Sequence, residues 1–535
     1  MTTLTSLRYQ RITDRLLAPW QGTTGPGVTI GVVREDALVL HRAAGMANIE
    51  LGIPIGPGTT FRIASVSKQF TCAAILLLAA EGKLNIEDAV RDHIAAFPDL
   101  GQRITLAHLM HNTSGIRDML EIMRLGGVDL GQPCQAADLL DGVCRQRALN
   151  FAPGTRYLYS NSNFMLLGRI VEQVSGETLA AFLDRRIFAP LGMTMTRHTP
   201  RTTDLVPSLA TGYMPTPNGW RRALHNFPLH GEGGLVSSVE DLALWHAQFG
   251  LPRHCAEALD TALTTLVPFA NGTPNTYARG LRIKAYRGLR TIGHDGLWPG
   301  FKTSFVRVPD HGVAVICISN DATSDPHELA FQVIDALAEG AHGVHPVPPM
   351  PDWAASAELT GRYLDRATGA TVEIARDAKD RVTASVNGAA TFLVPTADGR
   401  LATSRGSGDF SLRFDGTAIE VERDAGITET LHRVARGAHL PPDLPGSYAN
   451  PDTAATWTIT PTETGAELRV AGPLLLASEP WEVEPIEADI IRIYTPLTLY
   501  RGWLDTRVLR DASGRITGLH VDGGRAKGLV FTRTE

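Results

Sequence analysis

The sequence predicts an α+β domain followed by two antiparallel β-barrels. Three observations lead there. Strand-like runs bracket a helix-rich middle in the part before Gly340. Beyond Gly340 the texture changes to short alternating runs and turns. That tail also carries one phrase twice, Leu359-x-Gly361-x-Tyr363 and Leu444-x-Gly446-x-Tyr448. Strands, then helices, then strands make an antiparallel sheet flanked by helices. Each copy of the phrase follows a linker, "GAHGVHPVPPMPDW" or "GAHLPPDLPGSY", so the expected domains are 1–343, 344–440 and 441–535.

Taken in order, the chain opens with a short amphipathic helix around Leu7, Ile12, Leu16 and Leu17. This stretch lacks the apolar core of a signal peptide. The longest apolar run, Ala73 to Ala80, is too short to span a bilayer. A cytoplasmic protein is the expectation. "GVTIGVVREDALVLHRAAGMAN" reads as a hairpin, with strands Val28–Val33 and Ala37–Ala44 around the turn residues Arg34, Glu35 and Asp36. An apolar helix within Phe61–Leu84 follows. Further helices run to about Phe249, broken by turns such as Pro153-Gly154. Three strand-like runs, "GLRIKAY", "FKTSFVRVP" and "GVAVICIS", precede the closing helix "PHELAFQVIDALAEG".

At 535 residues the chain is too long for one ordinary domain. A formal net charge of −6, with no block of Lys and Arg, argues against nucleic acid or an anionic membrane as a partner. The cysteines, Cys72, Cys134, Cys144, Cys255 and Cys317, are odd in number and lack metal-ligand spacing. Reduced thiols are expected. No His/Cys/Asp cluster has zinc spacing and no Gly-rich phosphate loop occurs, so neither metal nor cofactor is implied.

The chemistry concentrates at "FRIASVSKQFTCAAILLLAAEGKL". Ser65 and Lys68 stand three apart at the start of the apolar helix and share a face. A serine can cap a helix and a lysine can sit on its surface. Yet this apolar helix must be buried, and an amine desolvated near a helix N-terminus is a candidate base. A serine hydroxyl needs such a neighbour to attack a carbonyl. Two further stretches join it. "FAPGTRYLYSNSNFMLLGRIVE" sets Tyr159-Ser160-Asn161 at the mouth of a helix. "TIGHDGLWPGFKTSF" sets His294-Asp295-Gly296 at the end of a strand-like run. A second Tyr-x-Asn, Tyr448-Ala449-Asn450, falls in the repeated barrel phrase and reads as a decoy.

Together and in this order the three stretches resemble the serine penicillin-recognising enzymes: class C β-lactamases, DD-carboxypeptidases and related D-aminopeptidases and esterases. "LAHLMHNTSGI", "IFAPLGMTMT" and "GEGGLVSSVEDLALW" are similar to that family too, and the resemblance covers about residues 25 to 335. A catalytic domain with two all-β domains behind it resembles the bacterial D-stereospecific D-aminopeptidases. The resemblance implies a β-lactamase/DD-peptidase-like fold and catalysis by Ser65, Lys68 and Tyr159. Ser65 is then the acylated nucleophile, Lys68 takes its proton, and Tyr159 protonates the leaving amine if cations lie near it. Asn161 is implied to bind the substrate amide. The backbone N–H groups of Ser65 and Leu297, beside Gly296, are implied to form an oxyanion hole. Small peptides, amino-acid amides or esters are the implied substrates; inhibition by β-lactams and a homodimer are expected.

His294 departs from the family pattern, which usually carries Lys-Thr-Gly there to bind a substrate carboxylate. A histidine is mostly neutral at cytosolic pH. That favours an aminopeptidase, with a carboxylesterase or amidase, or a non-catalytic penicillin- or peptide-binding protein, as alternatives. Asp118, Glu232 and Asp295 are weighed as sites for a substrate amino group against solvated or structural roles, and His111 as a residue that orients a loop. In the tail, "AGPLLLASEPWEVEP" reads either as a buried strand or as an apolar loop gating the cleft, with Glu479 meeting the substrate ammonium.

Overall fold

The computed structural model describes residues 3–248, 258–338, 343–403, 410–423, 427–435, 437–495 and 502–534. Phe249, Cys255 and Gly340 lie outside the described residues. The chain forms two compact units. One comprises residues 1–95, 103–113 and 163–346; the other comprises 96–102, 114–162 and 347–535.

The first unit is built on a six-stranded antiparallel sheet. Its order is Arg282–Tyr286, Leu289–Trp298, Phe301–Val308, Val313–Ser319, Val28–Arg34, Ala37–Ala44. Side chains alternate along Val28–Arg34. Val28, Ile30 and Val32 face the terminal helices Thr3–Leu17 and Pro326–Ala338, packing in one cluster with Tyr9, Leu16, Leu17, Phe331 and Ile334. On the opposite face the helix Val239–Gln248 comes close at Gly31, where a Cβ would lie 2.4 Å from a Val239 methyl. Both faces are therefore covered, and all of Val313–Ser319 is buried. That is why "GVAVICIS" reads as an unbroken apolar run.

Between the hairpin and the later strands comes the helix Lys68–Ala80, buried from Lys68 to Leu78. It is apolar on all sides because it lies inside the unit. The Phe70 ring packs 4.3 Å from that of Trp245, whose indole N–H donates to Gln69 Oε1 at 2.7 Å.

One element departs from the sequence reading. A fourth late strand, Leu289–Trp298, joins the three recognised runs and carries His294, Asp295 and Gly296 within it rather than at its end. Arg287 and Gly288 both have positive φ, 52° and 83°, as a two-residue hairpin turn requires. The strand's glycines and polar residues break the hydrophobic alternation, so the sequence reading ends the run at His294-Asp295-Gly296.

The second unit contains two closed eight-stranded antiparallel barrels, spanning Gly361–Arg433 and Gly446–Arg533. The repeated phrase has a physical reason. Tyr363 and Tyr448 are fully buried in the first strand of each barrel. Each hydroxyl donates to the carbonyl four residues back, Leu359 at 2.8 Å and Leu444 at 2.5 Å. Each tyrosine pairs across the closing seam with an arginine, Arg433 or Arg533, whose guanidinium lies over its ring at 5.9 and 5.6 Å. Tyr448-Ala449-Asn450 is thus a seam strand of the barrel.

The segment 114–162 packs on the second barrel. Arg117 donates to Asp452 at 2.7 Å and to the Lys527 carbonyl at 3.1 Å, and the Trp457 indole donates to the Leu125 carbonyl at 3.0 Å. Residues 472–480 form a turn between strands Gly465–Ala471 and Trp481–Glu487, with Leu476 97% exposed and Trp481 buried. The stretch 471–485 therefore divides: residues 472–480 are a turn, while 481–485 belongs to a barrel strand with Trp481 and Val483 buried. The turn's Gly472-to-Leu475 hydrogen bonds satisfy the backbone locally, so no ladder is needed. Leu475 comes close to Gly127. Among the described residues no helix is long and apolar enough to cross a membrane. Cys72, Cys134, Cys144 and Cys317 are free thiols.

Candidate active site

Ser65 sits in a 3-10 turn, Ala64–Ser67, that feeds directly into the Lys68 helix. The turn is held by the strand Leu235–Ser237. Phe61 and Arg62 pair with Val236 and Ser237, the Ile63 N–H donates to the Leu235 carbonyl at 3.1 Å, and the Leu235 N–H donates to Ser67 Oγ at 3.1 Å. Ala64 has φ +47°, a left-handed conformation that costs energy for any residue with a Cβ. It turns the chain so that Ser65 is only half buried while its neighbours Ala64 and Val66 are buried.

Lys68 is fully buried. Its Nζ donates to Ser65 Oγ at 3.0 Å and to the Glu232 carbonyl at 2.6 Å, and lies 5.2 Å from the Phe164 ring centroid. The turn that supplies the carbonyl also accepts Thr71 Oγ1 at the Gly231 oxygen, 2.7 Å away. The Glu232 carbonyl therefore helps to aim the amine at the Ser65 hydroxyl. Gly280, at φ +74°, closes the back of the site: a Cβ there would lie 2.7 Å from the Lys68 carbonyl carbon.

Gly296 brings the strand Leu289–Trp298 against this turn. A Cβ at Gly296 would lie 2.2 Å from the Ile63 carbonyl oxygen. Past Gly293 the strand pairs, among the described residues, on its Phe301–Val308 side alone, and Gly296 faces the Ser65 turn. The Leu297 side chain is exposed.

His294 is buried, and both its ring nitrogens have protein partners. Nδ1 faces the Asp295 carbonyl at 2.6 Å and must carry the proton, so Nε2 accepts from the Tyr277 hydroxyl at 3.0 Å. Burial, then the charges of Lys68 and Arg282, push its pKa down to about 3. The imidazole is neutral, as the sequence suggested. Tyr277 itself carried no sequence signal; its partner stands 17 residues away and only the fold joins them.

The carboxylates weighed earlier turn out to have structural partners. Asp295 accepts from Ser304 Oγ at 2.7 Å and pairs with His327 at 3.0 Å. Glu232 is buried and accepts from the His230 N–H at 2.9 Å; burial raises its pKa. His111 donates to the Tyr277 carbonyl at 3.1 Å, a loop-orienting contact, and burial pushes its pKa down to about 4.

Tyr159, Asn161 and Asp118 belong to the second unit and are ordered by its own contacts. Asp118 caps the helix Met119–Leu125, accepting from the N–H groups of Leu120 and Glu121 at 3.0 and 3.3 Å. Its other oxygen accepts the backbone N–H and the side-chain amide of Asn161 at 2.6 and 2.9 Å. Asn161 opens the helix Asn161–Ser175. The Arg525 guanidinium lies 4.8 Å from the centroid of the half-buried Tyr159 ring. Sequence reasoning passed over Arg525, which sits in a barrel turn, "DGGRAKG", with no local sign of its neighbour. Glu479 is exposed in the 472–480 turn.

Comparisons with known proteins agree with this picture. The chain is 28% identical over 531 residues to a D-aminopeptidase of Brucella ovis, covering 96% of both chains, and 28% identical over 524 residues to one of Brucella anthropi. Its fold is shared with two solved structures, each 22% identical. The octameric penicillin-binding protein homologue of Pyrococcus abyssi gives a TM-score of 0.57, covering 79% of this chain and 99% of that one. The D-amino acid amidase of Ochrobactrum anthropi SV3, complexed with D-phenylalanine, gives 0.54, covering 63% and 99%. The Beta-lactamase family model matches residues 14–339, and with the sheet, the Ser65 turn and the buried Lys68 in place the chain belongs to that family.

Proposed function

We propose that the protein is a D-aminopeptidase, a serine hydrolase that releases an N-terminal D-amino acid from small peptides, amides or esters through an acyl-enzyme. The observation that carries the reading is the fully buried Lys68 amine 3.0 Å from Ser65 Oγ. The Brucella relatives, similar across 96% of the chain, supply the substrate class. In this reading the Lys68 amine accepts the Ser65 proton as Oγ attacks the carbonyl. The Ser65 and Leu297 N–H groups receive the oxyanion beside Gly296. Tyr159 gives a proton to the departing amine, and Asn161 holds the substrate amide. Water then cleaves the ester to Ser65.

The neutral His294 bears on specificity. It offers no cation to a substrate carboxylate, in keeping with an enzyme that selects the amino end. Glu479 as a partner for the substrate ammonium, β-lactam inhibition, a homodimer and a cytoplasmic location are further parts of the proposal.

The test compares turnover of D-alanine p-nitroanilide, its L-isomer and p-nitrophenyl acetate, with Ser65→Ala alongside. The D-anilide is cleaved in preference to the L-isomer, and Ser65→Ala abolishes turnover while staying folded, because even a lost cap costs only about 1 kcal/mol and the residue at the helix N-cap is Ser67. Cleavage of the ester alone, or substantial activity in folded Ser65→Ala, overturns the reading.

A further inference from the structure

We infer that Arg525, delivered by the second barrel, is a positioning residue for the reaction, acting through Tyr159. The inference rests on the proposed role of Tyr159 as the proton donor.

Arg525 lies in the turn between the last two strands of the barrel, Ile516–Asp522 and Leu529–Arg533. That turn is bound to the segment 114–162 by its backbone. The Arg525 carbonyl accepts the Asp118 N–H at 3.1 Å and the Asn150 side-chain amide at 3.2 Å. The Lys527 N–H donates to Asn150 Oδ1 at 2.8 Å, and the Gly524 N–H to Glu121 Oε1 at 2.8 Å. The turn cannot slide without breaking all four. It therefore fixes where the Arg525 side chain begins.

From there the guanidinium reaches two groups. It lies 4.8 Å from the Tyr159 ring centroid, within the range of a cation–π contact. Its Nη1 is 3.9 Å from Asp118 Oδ2, the same oxygen that holds Asn161. One arginine thus touches the ring of Tyr159 and the carboxylate that fixes the residue two places on. When Tyr159 gives its proton to the departing amine, the C–N bond breaks, an N–H bond forms and negative charge is left on the phenol. The water that then attacks the acyl-enzyme returns that proton. A guanidinium beside the ring favours the charged moment of this cycle. Asp118 also neutralises part of the arginine's charge and keeps it over the ring. The side chain remains 45% exposed, so solvent screens the contact and its effect is modest.

The test is a substrate comparison in the full chain. D-Alaninamide needs a proton on its leaving group, whereas p-nitrophenyl acetate releases a stable anion. In Arg525→Met, kcat/KM for D-alaninamide falls about fivefold and that for p-nitrophenyl acetate stays within about twofold. Arg525→Lys, which keeps a cation, recovers most of the loss. In a Tyr159→Phe background Arg525→Met has no further effect, because the partner is gone. The inference is overturned if Arg525→Met slows both substrates equally, slows neither, or acts additively with Tyr159→Phe. Failure of the parent reading looks different: Tyr159→Phe itself would hydrolyse D-alaninamide at the wild-type rate, or Ser65→Ala would remain active. Urea midpoints of each variant confirm that the barrel stays folded.

Discussion

Replacing Gly296 by alanine probes the geometry of the site directly. The added Cβ would meet the Ile63 carbonyl oxygen at 2.2 Å. That is about 1 Å short of ordinary contact. A backbone oxygen cannot swing aside as a side chain can, so the strand and the Ala64–Ser67 turn must separate by a comparable distance. The Leu297 N–H then leaves the position proposed for the oxyanion. Misplacement of about 1 Å costs on the order of 100-fold. Outright loss of one oxyanion donor costs on the order of 100- to 1000-fold. We therefore expect kcat/KM for D-alanine p-nitroanilide to fall about 100-fold, mostly in kcat. Overpacking costs about 1–3 kcal/mol, which a stability of about 5–15 kcal/mol tolerates, so the variant should fold. Leu297→Ala is the control: its exposed side chain goes but the backbone N–H stays, and activity should change by less than about threefold. A Gly296→Ala enzyme within about threefold of wild type, or a Leu297→Ala enzyme as damaged as Gly296→Ala, would refute the reasoning.

Two further outcomes follow from the same structure. Asp118→Ala removes a buried cap and leaves the Asn161 N–H groups without their acceptor, so it should cost about 3 kcal/mol by urea denaturation and lower activity as well; a loss under about 1 kcal/mol would contradict this role. His111, His198, His225, His246 and His294 are held by burial at pKa values of about 4, 3, 3, 4 and 3, below the ordinary value of 6.5. The unfolded chain therefore binds more protons between about pH 4 and 6.5, and each histidine removes stability at up to about 1.4 kcal/mol per pH unit as the pH falls through that window. The urea midpoint should drop steeply below pH 6.5, and a flat profile down to pH 5 would show that these side chains are not buried neutral.

The sequence by itself determined what depends on near neighbours. Ser65 and Lys68 share a helical face, so their spacing already implied the 3.0 Å contact. The repeated Leu-x-Gly-x-Tyr phrase was legible as two like modules because each tyrosine bonds a carbonyl only four residues away. The texture change after Gly340 marked the passage from α+β to all-β. Tertiary structure decided the rest. The strand Leu289–Trp298 is polar where it meets the Ser65 turn, so the sequence ended the run at His294-Asp295-Gly296 and its continuation to Trp298 was hidden. The partners of His294 and Asp295, Tyr277 and His327, stand 17 and 32 residues away. Most remote of all, Arg525 stands over Tyr159 because a barrel turn docks on the segment 114–162. Such a contact leaves no trace in spacing: the turn's backbone bonds to the Asp118 N–H and to the side chains of Asn150 and Glu121, all far away in the sequence.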